Sequence, residues 1–273
     1  TSIAGTIASG TTNIQNILTM KLFYVRSSYD VKYVIDGPQP EGVIVPTGGS
    51  YKYKETVTLE PTLSVPGYTF IGWETDDVAL SNGKFMMPTH DVTLKGRFVE
   101  NAAVEIRYVP DDAEHGSTTN SPDEVSPATG TPKGSIATAK EGYAFKNWTK
   151  DGEVVSWNAE LKPEDIEKVG GVYVASEYVA NFGVDDNGDQ IPDEYQIKVT
   201  YSAVNGRVDL TEAQYVTLYK DDHYATKAEG GVGTLTEAQI AKATAANGYN
   251  QASESWNPEK PEAGTTQFTE DTH

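Results

Sequence analysis

The chain has 273 residues, with 21 Lys plus Arg against 40 Asp plus Glu, a net charge of -19, and no cysteine. That charge repels phosphate backbones and anionic lipid, so neither a nucleic-acid partner nor direct membrane contact is expected. Without cysteine there is no disulfide framework, thiolate metal site or cysteine nucleophile, whereas 37% hydrophobic residues, among them 16 Tyr and 4 Trp, supply apolar mass for unstapled cores.

Residues 1–28 read as the end of something that began earlier. Thr1 to Thr12 lacks the basic start and apolar centre of a leader. Leu18, Met20, Leu22 and Tyr24 then fall on one face at period two, a half-buried strand over 18–25 with no preceding body of its own. It is expected to be the closing strand of a preceding module.

The first complete module spans 29–99. Tyr29, Val31 and Tyr33 alternate with Asp30 and Lys32, an amphipathic strand. Breaker groups at Gly37–Gly42 and Pro46–Gly49 read as loops. There follows Gly67-Tyr68-Thr69-Phe70-Ile71-Gly72-Trp73, which returns seventy-five positions later as Gly142-Tyr143-Ala144-Phe145-Lys146-Asn147-Trp148. A glycine opening a strand with Tyr, Phe and Trp suits burial of large rings, so these rings are expected in cores. The recurrence makes the chain an array of small modules. Asn82-Gly83, Phe85-Met86-Met87-Pro88 and Asp91-Val92-Thr93-Leu94 complete the first module, with Val92, Leu94 and Phe98 on one face.

The second module, 102–182, opens on Val104–Tyr108 and closes on a strand over Val172–Phe182. In its insert, Pro163, Glu164 and Asp165 sit where a first helical turn wants them and Gly170-Gly171 stands after the end, so a short helix is expected over 161–168. The third module, 195–273, opens on Tyr195–Tyr201 and keeps Gly248, Tyr249 and Trp256 of the motif. Leu-Thr-Glu-Ala-Gln occurs there twice; the copy at Leu210 precedes a strand pattern, and the copy at Leu235 reads as a capped helix ending at Asn247-Gly248. No closing strand follows, so the third module is expected to be C-terminally truncated.

These motifs and their order, Gly-Tyr-x-Phe-x-x-Trp, Phe85–Pro88 and Asp91–Leu94, resemble the internalin-B-type (Listeria–Bacteroides) repeats and related mucin-binding-type modules of Gram-positive cell-surface proteins. The second module has Asn147 before its Trp and lacks the Met-Pro element, and the third keeps only Gly, Tyr and Trp. The resemblance implies an α+β, mainly β architecture of tandem, small, β-grasp-like modules with short helices. It further implies an extracellular, cell-wall-anchored protein, a stalk or adhesin presenting or contributing to host or glycan binding. A purely structural spacer is the alternative, and an accessory region of a carbohydrate-active enzyme a third. The expected partners are host mucin glycans or extracellular proteins, and the chain itself is expected to be a monomer.

Two candidate sites stand out. The linker 183–194 places Asp185, Asn187, Asp189 and Asp193 at relative positions 1, 3, 5 and 9, with the carbonyl of Ile191 at 7. Oxygen ligands at that spacing suit Ca2+, although Gly188 and Gln196 depart from the EF-hand pattern; a solvated acidic linker is the other reading. Trp157 and Trp256 lie outside the best-kept motif and are the rings to examine as sugar-stacking faces. No catalytic residue is expected: the four His show no metal spacing and no Gly-x-Ser-x-Gly elbow is present. A Lys–Asn isopeptide crosslink is a further expectation open to a chain without cysteine.

Overall fold

The computed structural model describes residues 21–250 and 256–272. Two compact units divide the chain, one running to Ala102 and taking in Gly170–Val172, the other formed by Ala103–Val169 and the chain from Tyr173 onward. Among the described residues every regular element is a strand or a three-residue 3-10 turn.

The first unit is built from β1 (Ser28–Ile35), β2 (Gly49–Lys52), β3 (Thr56–Thr58), β4 (Tyr68–Glu74), β5 (Lys84–Met86) and β6 (Val92–Glu100). Its main sheet has the order β2-β1-β6-β4, with β1 and β6 parallel in the middle and antiparallel strands outside. β3 and β5 form a small second layer. Alternation places Val31, Tyr33, Val92, Leu94 and Phe98 inward, and Val57, Phe85 and Met87 meet Val31, Tyr33, Val92 and Leu94 from the second layer.

The second unit begins with the same plan. Its strands are β7 (Val104–Pro110), β8 (Gly116–Thr118), β9 (Asp123–Val125), β10 (Ser135–Ala139), β11 (Tyr143–Lys150), β12 (Glu153–Ser156), β13 (Glu160–Leu161) and β14 (Ser176–Val184). The sheet order β12-β11-β14-β7-β9 again sets the first and last strands, β7 and β14, parallel at the centre. The second layer is β13-β10-β8. Ile106, Tyr108, Trp148, Tyr178 and Ala180 are at most 1% exposed at its heart.

The spacing of the aromatic motif has a geometric cause. In an unbroken strand, Phe and Trp three positions apart point to opposite faces. Here the register of β4 against β6 shifts between Phe70 and Gly72, and that of β11 against β14 between Phe145 and Asn147. This bulge brings both rings to one face: the Phe70 and Trp73 centroids lie 5.0 Å apart, and those of Phe145 and Trp148 6.3 Å apart. Gly72 takes φ +119 at the first bulge, a conformation that favours glycine. At the second, Asn147 is buried and its Oδ1 accepts a 2.9 Å hydrogen bond from Asn181 Nδ2. Across the sheet from each Trp stands a small residue, Gly96 or Ala180.

The rest of the second unit is a looser assembly of short strands: β15 (Gln196–Val199), β16 (Gly206–Val208), β17 (Gln214–Thr217), β18 (Tyr219–Lys220), β19 (His223–Tyr224), β20 (Gly233–Thr234), β21 (Ala243–Ala245) and β22 (Gln267–Phe268). β15 pairs β17, and Ile197, Val199, Val216, Leu218, Leu235, Ile240 and Phe268 form its core.

Several expectations need correcting. The helix over 161–168 is only the 3-10 turn Pro163–Asp165; its start is capped, with Asp165 Oδ2 accepting from Lys162 N at 2.9 Å, but Ile166 returns to extended backbone. At the second pentapeptide, Thr236 and Gln239 do form a capping box, yet the turn ends at Gln239 and Ala243–Ala245 pairs with β16. The short helices of the α+β reading are therefore single turns, too short to repay helix nucleation by packing. The strand expected over 172–182 begins at Ser176, because Tyr173 N donates to Pro127 O at 2.8 Å instead of joining the ladder. Of the strand expected over 18–25, residues 18–20 lie outside the described residues; 21–25 carry no strand, and Leu22 to Val25 are exposed.

Candidate functional site

The acidic linker lies between β14 and β15. Asp185 is buried and spends both carboxylate oxygens on backbone donors: Oδ1 accepts from Gly188 N at 2.8 Å and Asp189 N at 3.2 Å, and Oδ2 from Gln190 N at 2.9 Å. The charge is compensated by three N–H dipoles, an arrangement that curls the loop from within. Asp189 Oδ2 accepts from Gln196 Nε2 at 2.6 Å and from Asn187 Nδ2 at 3.2 Å, while Gln196 Oε1 accepts from the same Asn187 amide at 3.0 Å. Asp189 Oδ1 accepts from Ile191 N at 3.0 Å. Asp193 Oδ2 accepts from Asp186 N at 3.2 Å, and its Oδ1 is buried without a partner. Burial first, and then the nearby Asp186, Asp185 and Asp189, push the Asp193 carboxyl above its ordinary value.

Among the described residues no group of three or more His, Asp or Glu side chains is drawn together as a metal centre. Asp185, Asn187, Asp189 and Asp193 share one loop, but Asp185 faces its own amides. Gln196, which replaces the carboxylate at the twelfth loop position, is instead the side chain that ties the loop to β15.

Around this linker the second repeat meets the segment that follows it. Lys146 Nζ pairs with Glu194 Oε1 at 2.7 Å, and Tyr195 stacks on Tyr224 with centroids 5.7 Å apart. Burial, more than the adjacent Glu194 and Glu229, pushes the Tyr195 hydroxyl up to about 12. Trp157 stacks on His223 at 4.8 Å and 25°, and the Trp ring remains 42% exposed. An open cleft of about 520 Å³ lies here, lined among others by Trp157, His223, Tyr224, Lys146, Asn181 and Glu229. It joins flat aromatic faces to side chains that donate and accept hydrogen bonds, the chemistry that binds a polyhydroxylated ligand.

Trp256 is placed differently. Its ring is half-buried and meets Tyr201 edge to face, with centroids 6.1 Å apart at 89°. Tyr33 with Trp73 and Tyr108 with Trp148 make the same contact. Trp256 thus makes the aromatic contact of the motif Trp, at its longer spacing from Gly248. The two aromatic candidates are not brought together, and only Trp157 presents an open face.

Residues 37–102 and 110–164 match the model of a divergent InlB B-repeat domain. The matched segments cover the sheet of the first unit from the end of β1 and the second repeat from the end of β7 to its 3-10 turn. B-repeats of this kind are modules of bacterial surface proteins and not an enzyme family, which fits a mainly β chain with repeated aromatic cores. No curated protein matches the chain. No helix among the described residues is long and apolar enough to cross a membrane.

Proposed function

We propose that the chain is part of a bacterial cell-wall-attached stalk or adhesin. Its B-repeats and the segment after them form three modules, 29–99, 102–182 and 195–273, joined by the linker 183–194, which hold a host-facing contact away from the cell. The recurring central parallel pair supports the β-grasp-like reading, with a second strand layer taking the place of the helix. The observation that carries the functional reading is the pairing of repeated aromatic cores with an exposed Trp ring, Trp157, in a cleft of hydrogen-bonding side chains.

In this reading, extracellular glycans of the mucin type enter the Trp157 cleft, a sugar ring stacking on the free indole face while Asn181, Lys146 and Glu229 meet its hydroxyls. The linker acts as the joint, and calcium, by drawing Asp189, Asn187 and Asp193 toward one point, would stiffen it at the expense of the Asp185 caps. A spacer without ligand is the second reading, favoured by the small share of open aromatic surface.

Binding of the purified chain to an array of mucin glycans and host matrix proteins, with calcium and with chelator, tests this. Saturable glycan binding lost in Trp157→Ala is the expected result. Silence in both buffers contradicts the adhesin reading and leaves the spacer.

A further inference from the structure

Along β17 and into β18, Val216 and Leu218 turn into the core of the third segment, so Tyr215, Thr217 and Tyr219 share the outward face at period two. Tyr219 is 46% exposed. The segment entering β20 lies beside this row, with Val232 bridged to Tyr219, and it comes this close because Gly233 has no side chain: a Cβ there would run into Thr217 O. Thr234 of β20 pairs in turn with Gln267 of β22, which sets their two exposed side chains next to each other. From the 3-10 turn that follows, Gln239 Nε2 donates to Tyr215 O at 2.8 Å and ties the turn to the row.

Together these residues line a cleft of about 340 Å³. In a chain of which 22% of residues are Asp, Glu, Lys or Arg, no charged side chain lines this cleft among the described residues. What lines it is two tyrosine rings beside hydroxyls and amides. Threonine hydroxyls and glutamine amides both donate and accept, so they meet sugar hydroxyls in either sense, and the rings offer apolar faces to the C–H side of a sugar. A carboxylate or sulfate would meet no cation in the cleft and would be repelled by the net charge of -19.

This cleft adjoins the one beside Trp157. Tyr219 lines the first and Tyr224 the second, and the two are cross-strand partners in the β18–β19 hairpin with ring centroids 5.3 Å apart. At the next pair of the same hairpin Lys220 stands opposite His223, whose ring stacks on Trp157. One hairpin therefore supplies an aromatic face to each cleft.

We infer that the cleft along Tyr215, Thr217 and Tyr219 is a second sugar subsite, and that the ligand is an uncharged oligosaccharide that crosses the Tyr219–Tyr224 pair and occupies both clefts. This rests on the reading of Trp157 as a sugar-binding ring and extends it from one sugar to a chain. With one sugar held at Trp157, the remainder of the chain meets the second cleft at a high effective concentration, so length adds affinity.

Isothermal titration calorimetry with uncharged N-acetyllactosamine oligomers, from the single disaccharide upward, tests this, alongside a long oligomer carrying terminal sialic acid. For the wild type, affinity is expected to rise by about tenfold or more from the shortest to the longest oligomer. Gln267→Ala and Tyr219→Ala, both at exposed positions, are expected to bring the longest oligomer down to the affinity of the shortest, whereas Trp157→Ala weakens every length. Amide resonances of Thr217, Thr234 and Gln267 are expected to shift with the long oligomer and not with the disaccharide. Affinity independent of length, or a length dependence that survives both Gln267→Ala and Tyr219→Ala, would overturn the second subsite and leave the Trp157 reading standing. Tighter binding of the sialylated chain would overturn the uncharged class. Wild type that binds no oligomer, or binding indifferent to Trp157→Ala, would overturn the Trp157 reading and the two-cleft ligand with it.

Discussion

Tyr33 and Trp73 meet edge to face with ring centroids 4.7 Å apart, and the Tyr comes two residues after the buried Val31. Tyr108 and Trp148 repeat this after Ile106, and Tyr201 and Trp256 after Val199. One aromatic pair therefore anchors three cores whose surrounding sequences have drifted apart.

The two kinds of Trp should separate under mutation. Trp148 is 0% exposed and its Nε1 donates to Ala159 O at 3.2 Å, so Trp148→Ala is expected to cost about 3–5 kcal/mol. Trp157→Ala, at a partly exposed ring, is expected to cost less than about 0.5 kcal/mol. Denaturant unfolding of both variants reads the difference.

Gly96 is held small by its neighbours. A Cβ there would lie 2.7 Å from both Phe70 Cε2 and Trp73 Cζ3. Gly96→Val is expected to destabilise the first repeat by about 1–3 kcal/mol through overpacking. Thermal melts of that repeat, followed by near-ultraviolet circular dichroism of Trp73, report it.

Strand alternation made much of this legible in advance. Tyr29 to Tyr33, Val92 to Phe98 and Val104 to Tyr108 read at period two because each has one buried face. The bulges after Phe70 and Phe145 were not legible, since Ile71 and Lys146 share no side-chain chemistry and the register shift is a property of the paired strand. The helices expected after Leu161 and Leu235 failed for a related reason. Their caps are real, but Ile166 and Ile240 are drawn into strand-lined cores one turn later, and tertiary packing overrode a local start signal. In the linker, the choice of Asp185 to cap three amides depends on backbone geometry that the Asp and Asn spacing alone does not give.

Removing those caps should loosen the joint between the second repeat and the segment after it. Asp185→Ala leaves the N–H groups of Gly188, Asp189 and Gln190 without their acceptor, at a cost of about 1–3 kcal/mol. Hydrogen exchange at these amides is expected to accelerate. If calcium stiffens the joint as proposed, Asp189→Ala abolishes a calcium-dependent change in the X-ray scattering profile, and identical wild-type profiles in calcium and chelator remove that role.

Acid should weaken the third segment in a defined direction. Backbone and hydroxyl hydrogen bonds from Thr226 hold Glu229 below its ordinary 4.5, and the Lys198 N–H, then Lys227, hold Asp271 below 3.8. Depressed values mean stability that is full above the ordinary carboxylate range and lost as pH falls through the lowered values. Asp193 has the opposite sign: its raised carboxyl costs stability once ionised, so Asp193→Asn is expected to raise Tm at neutral pH, by an amount that shrinks on acidification. Melting curves of wild type and Asp193→Asn between neutral and acidic pH check both directions.

The division between the core indole of Trp148 and the exposed indole of Trp157 carries the proposed binding site. Acrylamide quenching of variants that keep one Trp each, the others replaced by Phe, measures it directly. Strong quenching of Trp157, shielding of Trp148, and protection of Trp157 by a bound mucin-type glycan are the predicted results. A shielded Trp157, or one whose quenching no glycan alters, would contradict the proposal that this cleft is where the stalk meets its ligand.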